Sequence, residues 1–101
     1  MEVIITKQDS VMTARLIGRL DTPAAQEVSQ AVEPLIAAAD GTIVLDCQEM
    51  TYISSSGLRI FLSLRKAAAN KGGKVIVKGI SNDIRQVFMM TGFLNLFEIV
   101  D

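Results

Sequence analysis

Apolar and polar positions change period several times along this chain. Val3 and Ile5, then Val11-Met12-Thr13-Ala14-Arg15-Leu16-Ile17, follow the pattern of strands, and the polar stretch from Lys7 to Ser10 predicts a hairpin turn between them. Gly18 breaks the pattern. Leu20-Asp21-Thr22-Pro23 then reads as a helix start, because Asp or Thr caps and Pro is tolerated in the first turn. Ala24, Ala25, Val28, Val32, Leu35 and Ile36 recur at helical steps, with Gln26, Glu27, Gln30 and Glu33 mostly facing the other way. Pro34 lies inside this run and predicts a kink or a division near Ala31 to Glu33, since a ring nitrogen has no proton to donate.

Thr42 to Cys47 is a continuous apolar strand of the kind covered on both faces, followed by a polar loop at Gln48-Glu49. Met50-Thr51-Tyr52-Ile53 is a β-type segment that runs into Ser54-Ser55-Ser56-Gly57. From Ser55 or Ser56 onward Leu58, Phe61, Leu62 and Leu64 carry helical spacing, which stops at Asn70-Lys71-Gly72-Gly73. Lys74 to Lys78 alternates through Val75 and Val77 as a strand. Ser81-Asn82-Asp83 caps a third helix bearing Ile84, Val87, Phe88 and Met90, with Met90 expected in the core and Met89 at the surface. Phe93 to Val100 ends the chain as a short strand or a turn. The order β-β-α-β-α-β-α-β predicts an α/β fold: a mixed, mainly parallel sheet with an N-terminal hairpin, covered by three or four helices. Residues 1–101 are most simply one domain.

Half of the residues are hydrophobic and 21% charged, which excludes a disordered chain. A net charge of −1 gives no electrostatic reason to expect a nucleic acid or an anionic membrane as partner. No apolar stretch is long enough for membrane insertion, and the start MEVIITKQDS has neither a basic n-region nor an apolar h-region, so a cytoplasmic location is expected. The single Cys47 follows an apolar strand and reads as a core thiol; without companion ligands it makes no metal site.

The chain has no histidine, so the usual general base and the commonest metal ligand are missing. Gly72-Gly73 is an isolated pair before a strand and not a phosphate loop. No catalytic centre and no cofactor are expected. What remains is the cluster Ser54-Ser55-Ser56. The first N–H groups of a helix lack intrahelical partners, so this position takes a serine cap and also favours a phosphate. Either one serine caps while the others solvate a turn, or one of them carries a switchable charge. Met50, Tyr52, Ile53 and Leu58 flank the hydroxyls as contacts for a partner, with core packing the competing reading for each and the favoured one for Ile53 and Leu58.

The run Val44-Leu45-Asp46 … Met50-Thr51-Tyr52-Ile53-Ser54-Ser55-Ser56-Gly57-Leu58 resembles the signature of the STAS domain family of bacterial anti-sigma factor antagonists: a hydrophobic strand, a loop ending in Asp-Ser-Ser/Thr-Gly-Leu, then a helix. Gly18-Arg19-Leu20-Asp21 is similar to the family's Gly-Glu-Leu-Asp, and Ile84-Arg85-Gln86-Val87-Phe88 with Thr91-Gly92-Phe93 to its late helix and turn. The resemblance spans nearly the whole chain. It implies an antagonist that binds an anti-sigma factor with serine kinase activity, is switched off by phosphorylation, and is restored by a PP2C-type phosphatase. It places the phosphoacceptor at Ser55, flanked by Ser54, Ser56 and Gly57, with Asp21, Tyr52 and Leu58 toward the partner. Ser54 stands where the family usually has Asp, which removes a charge beside the acceptor and makes Ser54 a second candidate. Two other readings remain open: an unphosphorylated docking subunit of a transporter or lipid-trafficking complex, and a small-molecule or nucleotide sensor.

Overall fold

The computed structural model describes residues 1–101. Two antiparallel strands open it, β1 (Glu2–Gln8) and β2 (Val11–Leu20), with Glu2 opposite Ile17 and Gln8 opposite Val11. The turn is Asp9-Ser10 alone, tighter than the Lys7 to Ser10 stretch the polarity suggests. Asp9 takes φ 57°, a left-handed conformation that a short polar side chain tolerates.

Gly18 does not end the second strand. Its φ of +106° lets β2 bend and shift register between Gly18 and Arg19, so that one long strand serves two partners. Val11 to Arg15 pair in parallel with β3 (Thr42–Asp46), and Gly18 to Leu20 pair in parallel with β4 (Met50–Ile53). β4 is the β-type segment read at Met50 to Ile53; as a paired strand it is a sixth beyond the five in the expected order. With β5 (Lys74–Lys78) and β6 (Glu98–Val100) the sheet runs β1-β2-β3-β5-β6, parallel except for the hairpin.

Between the strands run α1 (Thr22–Ala31), α2 (Glu33–Ala37), α3 (Ser55–Lys71) and α4 (Asn82–Thr91), with a 3₁₀ turn at Phe93–Asn95. Pro34 divides α1 from α2 as its missing N–H requires. Ile43, Leu45, Val75 and Val77 are buried, while Thr42, Val44, Asp46 and Ile76 between them are half-buried. The central strands therefore bury one face more deeply than the other, unlike the double coverage expected for Thr42 to Cys47. Against the buried face α3 sets Leu58, Phe61, Leu64 and Ala68, recurring at steps of three and four. Phe61, Phe88, Phe93 and Phe97 meet beneath α4 with centroids 5.7–6.4 Å apart, mostly edge to face. Met90 corrects the expectation from spacing: it is 81% exposed, and Phe88 takes the core position.

Cys47 is fully buried and donates weakly to the Leu45 carbonyl. Desolvation by burial, then the Asp46 charge, pushes its thiol up to about 12, so it is neutral and unreactive near pH 7.

Candidate functional site

The serine cluster is built on the end of β2. Arg19 lies opposite Tyr52 and Leu20 opposite Ile53, and the Ser54 N–H continues the ladder by donating to the Leu20 carbonyl at 2.8 Å. The chain then leaves the sheet directly into α3. Ser54 is its N-cap, with extended backbone and a side-chain oxygen that accepts from the Gly57 N–H at 3.1 Å. Its carbonyl accepts the Leu58 N–H at 2.9 Å. At 8% exposure and with its oxygen engaged, Ser54 is a structural serine.

Ser55 differs. It is the first helical residue, exposed, and its hydroxyl makes no hydrogen bond. Ser56, half-buried, faces an open groove of about 600 Å³ between α1 and α3, shared with Thr22, Gln26, Ser29 and Gln30. Of the three hydroxyls, Ser54 is engaged in the cap, Ser55 and Ser56 make no side-chain hydrogen bond, and Ser55 is the more exposed of these two.

Gly57 points inward. A Cβ there would lie 2.6 Å from Leu20 Cγ and 3.0 Å from Ile53 Cγ1, so the close approach it permits is to the chain's own core. Leu58, which the resemblance places toward the partner, is corrected to a core residue at 7% exposure, the reading its spacing favours; its side chain stands on the buried stripe of α3. Met50 and Ile53 are also buried. Tyr52 alone of the flanking apolar residues is open, at 41%, with the Arg19 guanidinium carbon 4.4 Å above its ring centroid. Asp21 follows Leu20 and caps α1, its carboxylate accepting from the Ala24 N–H at 3.0 Å.

One residue of this surface escapes a reading by motif, and a second is not singled out by it. Arg19 joins it only through the β2–β4 register, which no local pattern reveals. Arg59 is legible in principle, four positions after Ser55 on one helix.

Comparison with known proteins identifies the framework. The profile of the STAS domain matches residues 2–101. The chain belongs to the STAS domain family. Among its relatives is a protein of Bordetella bronchiseptica named as a candidate anti-sigma factor antagonist, BtrV, 27% identical over all of this chain and 87% of that protein. The STAS fold superposes on a candidate anti-sigma factor antagonist of Thermotoga maritima with a TM-score of 0.89, at 18% identity over 98% of this chain and 86% of that one. It also superposes on the Bacillus cell fate determinant SpoIIAA in its phosphorylated form, with a TM-score of 0.76 at 20% identity, over 99% of this chain and 92% of that one. These last two likenesses are of fold.

Proposed function

We propose that this STAS domain is an anti-sigma factor antagonist, which binds an anti-sigma factor carrying serine kinase activity and is released from it by phosphorylation of Ser55. The observation that carries this reading is the division of labour at the start of α3: Ser54 is locked in the cap while Ser55 is exposed with an unengaged hydroxyl. The names of the relatives support the class of partner.

The replacement of the family's usual Asp by Ser54 becomes intelligible in these terms. Serine and aspartate cap a helix about equally well, so the cap survives while a negative charge beside the acceptor is lost. In the transfer, the Ser55 oxygen attacks the γ-phosphorus of ATP held by the partner, the bond to ADP breaks, and the hydroxyl proton passes to a base. The antagonist has no histidine and the first turn of α3 holds no acidic residue, and in this proposal the kinase supplies the base. Hydrolysis by a PP2C-type phosphatase returns the hydroxyl and inorganic phosphate.

Mass spectrometry after incubation with the cognate kinase and ATP is expected to find one phosphate, on Ser55. Phosphate on Ser54 or Ser56 alone refutes the assignment. A kinase that binds but transfers nothing favours the docking-subunit reading.

Asp21 and Tyr52 supply the surface beside the acceptor in this proposal, and Asp21 also has its capping duty. Asp21→Asn retains a cap and should melt like the wild type, whereas Asp21→Ala should cost about 1 kcal/mol. Titration calorimetry on the asparagine variant separates the roles: weaker partner binding at unchanged stability assigns the charge to the interface, and unchanged binding confines Asp21 to the cap.

A further inference from the structure

We propose that Arg59 is the intramolecular counter-charge of the switch: once Ser55 carries a phosphate, the Arg59 guanidinium pairs with it and holds the dianion against the domain's own surface. This rests on the reading of Ser55 as phosphoacceptor and concerns the phosphorylated state of the domain.

Ser55 and Arg59 stand at i and i+4 of the uninterrupted helix α3. That spacing sets their Cβ atoms roughly 5–6 Å apart on one face, and helical side chains lean toward the N-terminus, which carries an arginine at i+4 back over residue i. Both residues are exposed. Arg59 is uncommitted: the ion pairs of the chain are Arg15–Glu49 and Arg85–Asp101, and no side-chain hydrogen bond involves its guanidinium. The first turn of α3 contains no acidic residue to compete for it.

The other charged groups on the adjoining elements are placed differently. Arg19 of β2 is stacked on Tyr52. Asp21 is engaged at the cap of α1, and Arg85 of α4 is paired with Asp101. Asp83 lies in the first turn of α4, and Glu27 lies on α1.

A guanidinium presents two parallel donors that match two phosphate oxygens, which a serine hydroxyl cannot engage in the same way. Phosphorylation therefore does more than add charge. It recruits a cation that in the unmodified domain stands free for a partner, and the local charge changes from positive to negative, since the phosphate brings about −1.5 to −2. Two changes at one surface then act in the same direction, and each opposes a partner fitted to the unmodified form.

The test uses the full chain with phosphoserine installed at position 55 during translation, so that no kinase is needed, and follows the phosphate by ³¹P NMR against pH. A nearby cation favours the dianion over the monoanion and so lowers the second ionisation. In otherwise wild-type protein its midpoint should lie about 0.2–0.4 pH units below that in Arg59→Gln. Arg59→Lys should recover part of the shift, and 1 M salt should largely abolish it. Circular dichroism should report the same fold for all three. Identical midpoints in the three proteins overturn the pairing. A shifted midpoint in a chain whose Ser55 no kinase modifies keeps the pairing and removes the switch, so the two failures are distinguishable.

Discussion

Ser55→Asp is expected to bind the anti-sigma partner at least tenfold more weakly than wild type while melting at nearly the same temperature. Ser55 is exposed at the first position of α3, so an aspartate there is not buried in the free domain. The unsatisfied N–H groups of the helix start favour a negative charge by a few tenths to about 1 kcal/mol, and Arg59 one turn on adds an exposed pair of similar or smaller size. Stability should thus hold or rise slightly. In the complex the same carboxylate must be desolvated against a surface that accepts a hydroxyl. Removing a charge from water without a matching partner costs several kcal/mol, and every 1.4 kcal/mol is a factor of ten in affinity. The helix-end contribution cannot offset that. Ser55→Ala should bind like the wild type and resist release by ATP, because it has no oxygen to phosphorylate. Calorimetric titration and thermal melts on both variants decide the matter: an aspartate variant that binds normally, or one that fails only because it has unfolded, rules out a charge-operated switch.

The fold was legible in the sequence wherever a local period was long enough to register. The hairpin, the division at Pro34 and the capped starts at Asp21 and Ser81 all arise from residues within a few positions of one another. The β-type character of Met50 to Ile53 was legible, but its pairing with β2 and the passage of β2 through Gly18 were not, because both depend on segments some thirty residues apart. A glycine reads as a break when only its neighbours are considered, and as a bulge once a second partner strand is present. The site divides in the same way. Its position at a helix start is local chemistry, visible in three serines and a glycine. Which serine caps and which is free is set by where β4 delivers the chain, through the bond from Ser54 to the Leu20 carbonyl. Met90 left its expected place because helical spacing identifies a stripe but not its angular edge; Leu58 falls inside the packed arc, as its spacing favours and against the partner-facing place the resemblance implies.

Gly57→Val should destabilise the domain by about 3 kcal/mol. Its backbone is ordinary helix, so conformational freedom is not what the glycine supplies; space is. A Cβ would sit 2.6 Å from Leu20 Cγ, 2.9 Å from Leu20 Cδ2 and 3.0 Å from Ile53 Cγ1. Leu20 is fully buried and Ile53 nearly so, which leaves neither side chain an outward escape. Overpacking of this kind costs roughly 1–3 kcal/mol, and valine adds two further methyl groups to the first overlap. The disturbance also reaches the site, since the Leu20 carbonyl holds the Ser54 N–H and Ser54 caps through the Gly57 N–H itself. For a domain of this size about 3 kcal/mol lowers the melting temperature by roughly 12–24 °C. Gly57→Ala should also lower the melting temperature, because its methyl is the Cβ that meets Leu20 and Ile53, but by less than valine, since it adds no further methyls and gains up to about 1 kcal/mol of helix propensity over glycine. Differential scanning calorimetry on the two variants tests this order. A valine variant that melts with the wild type yet loses its partner would mean that the glycine leaves room for the partner and not for Leu20.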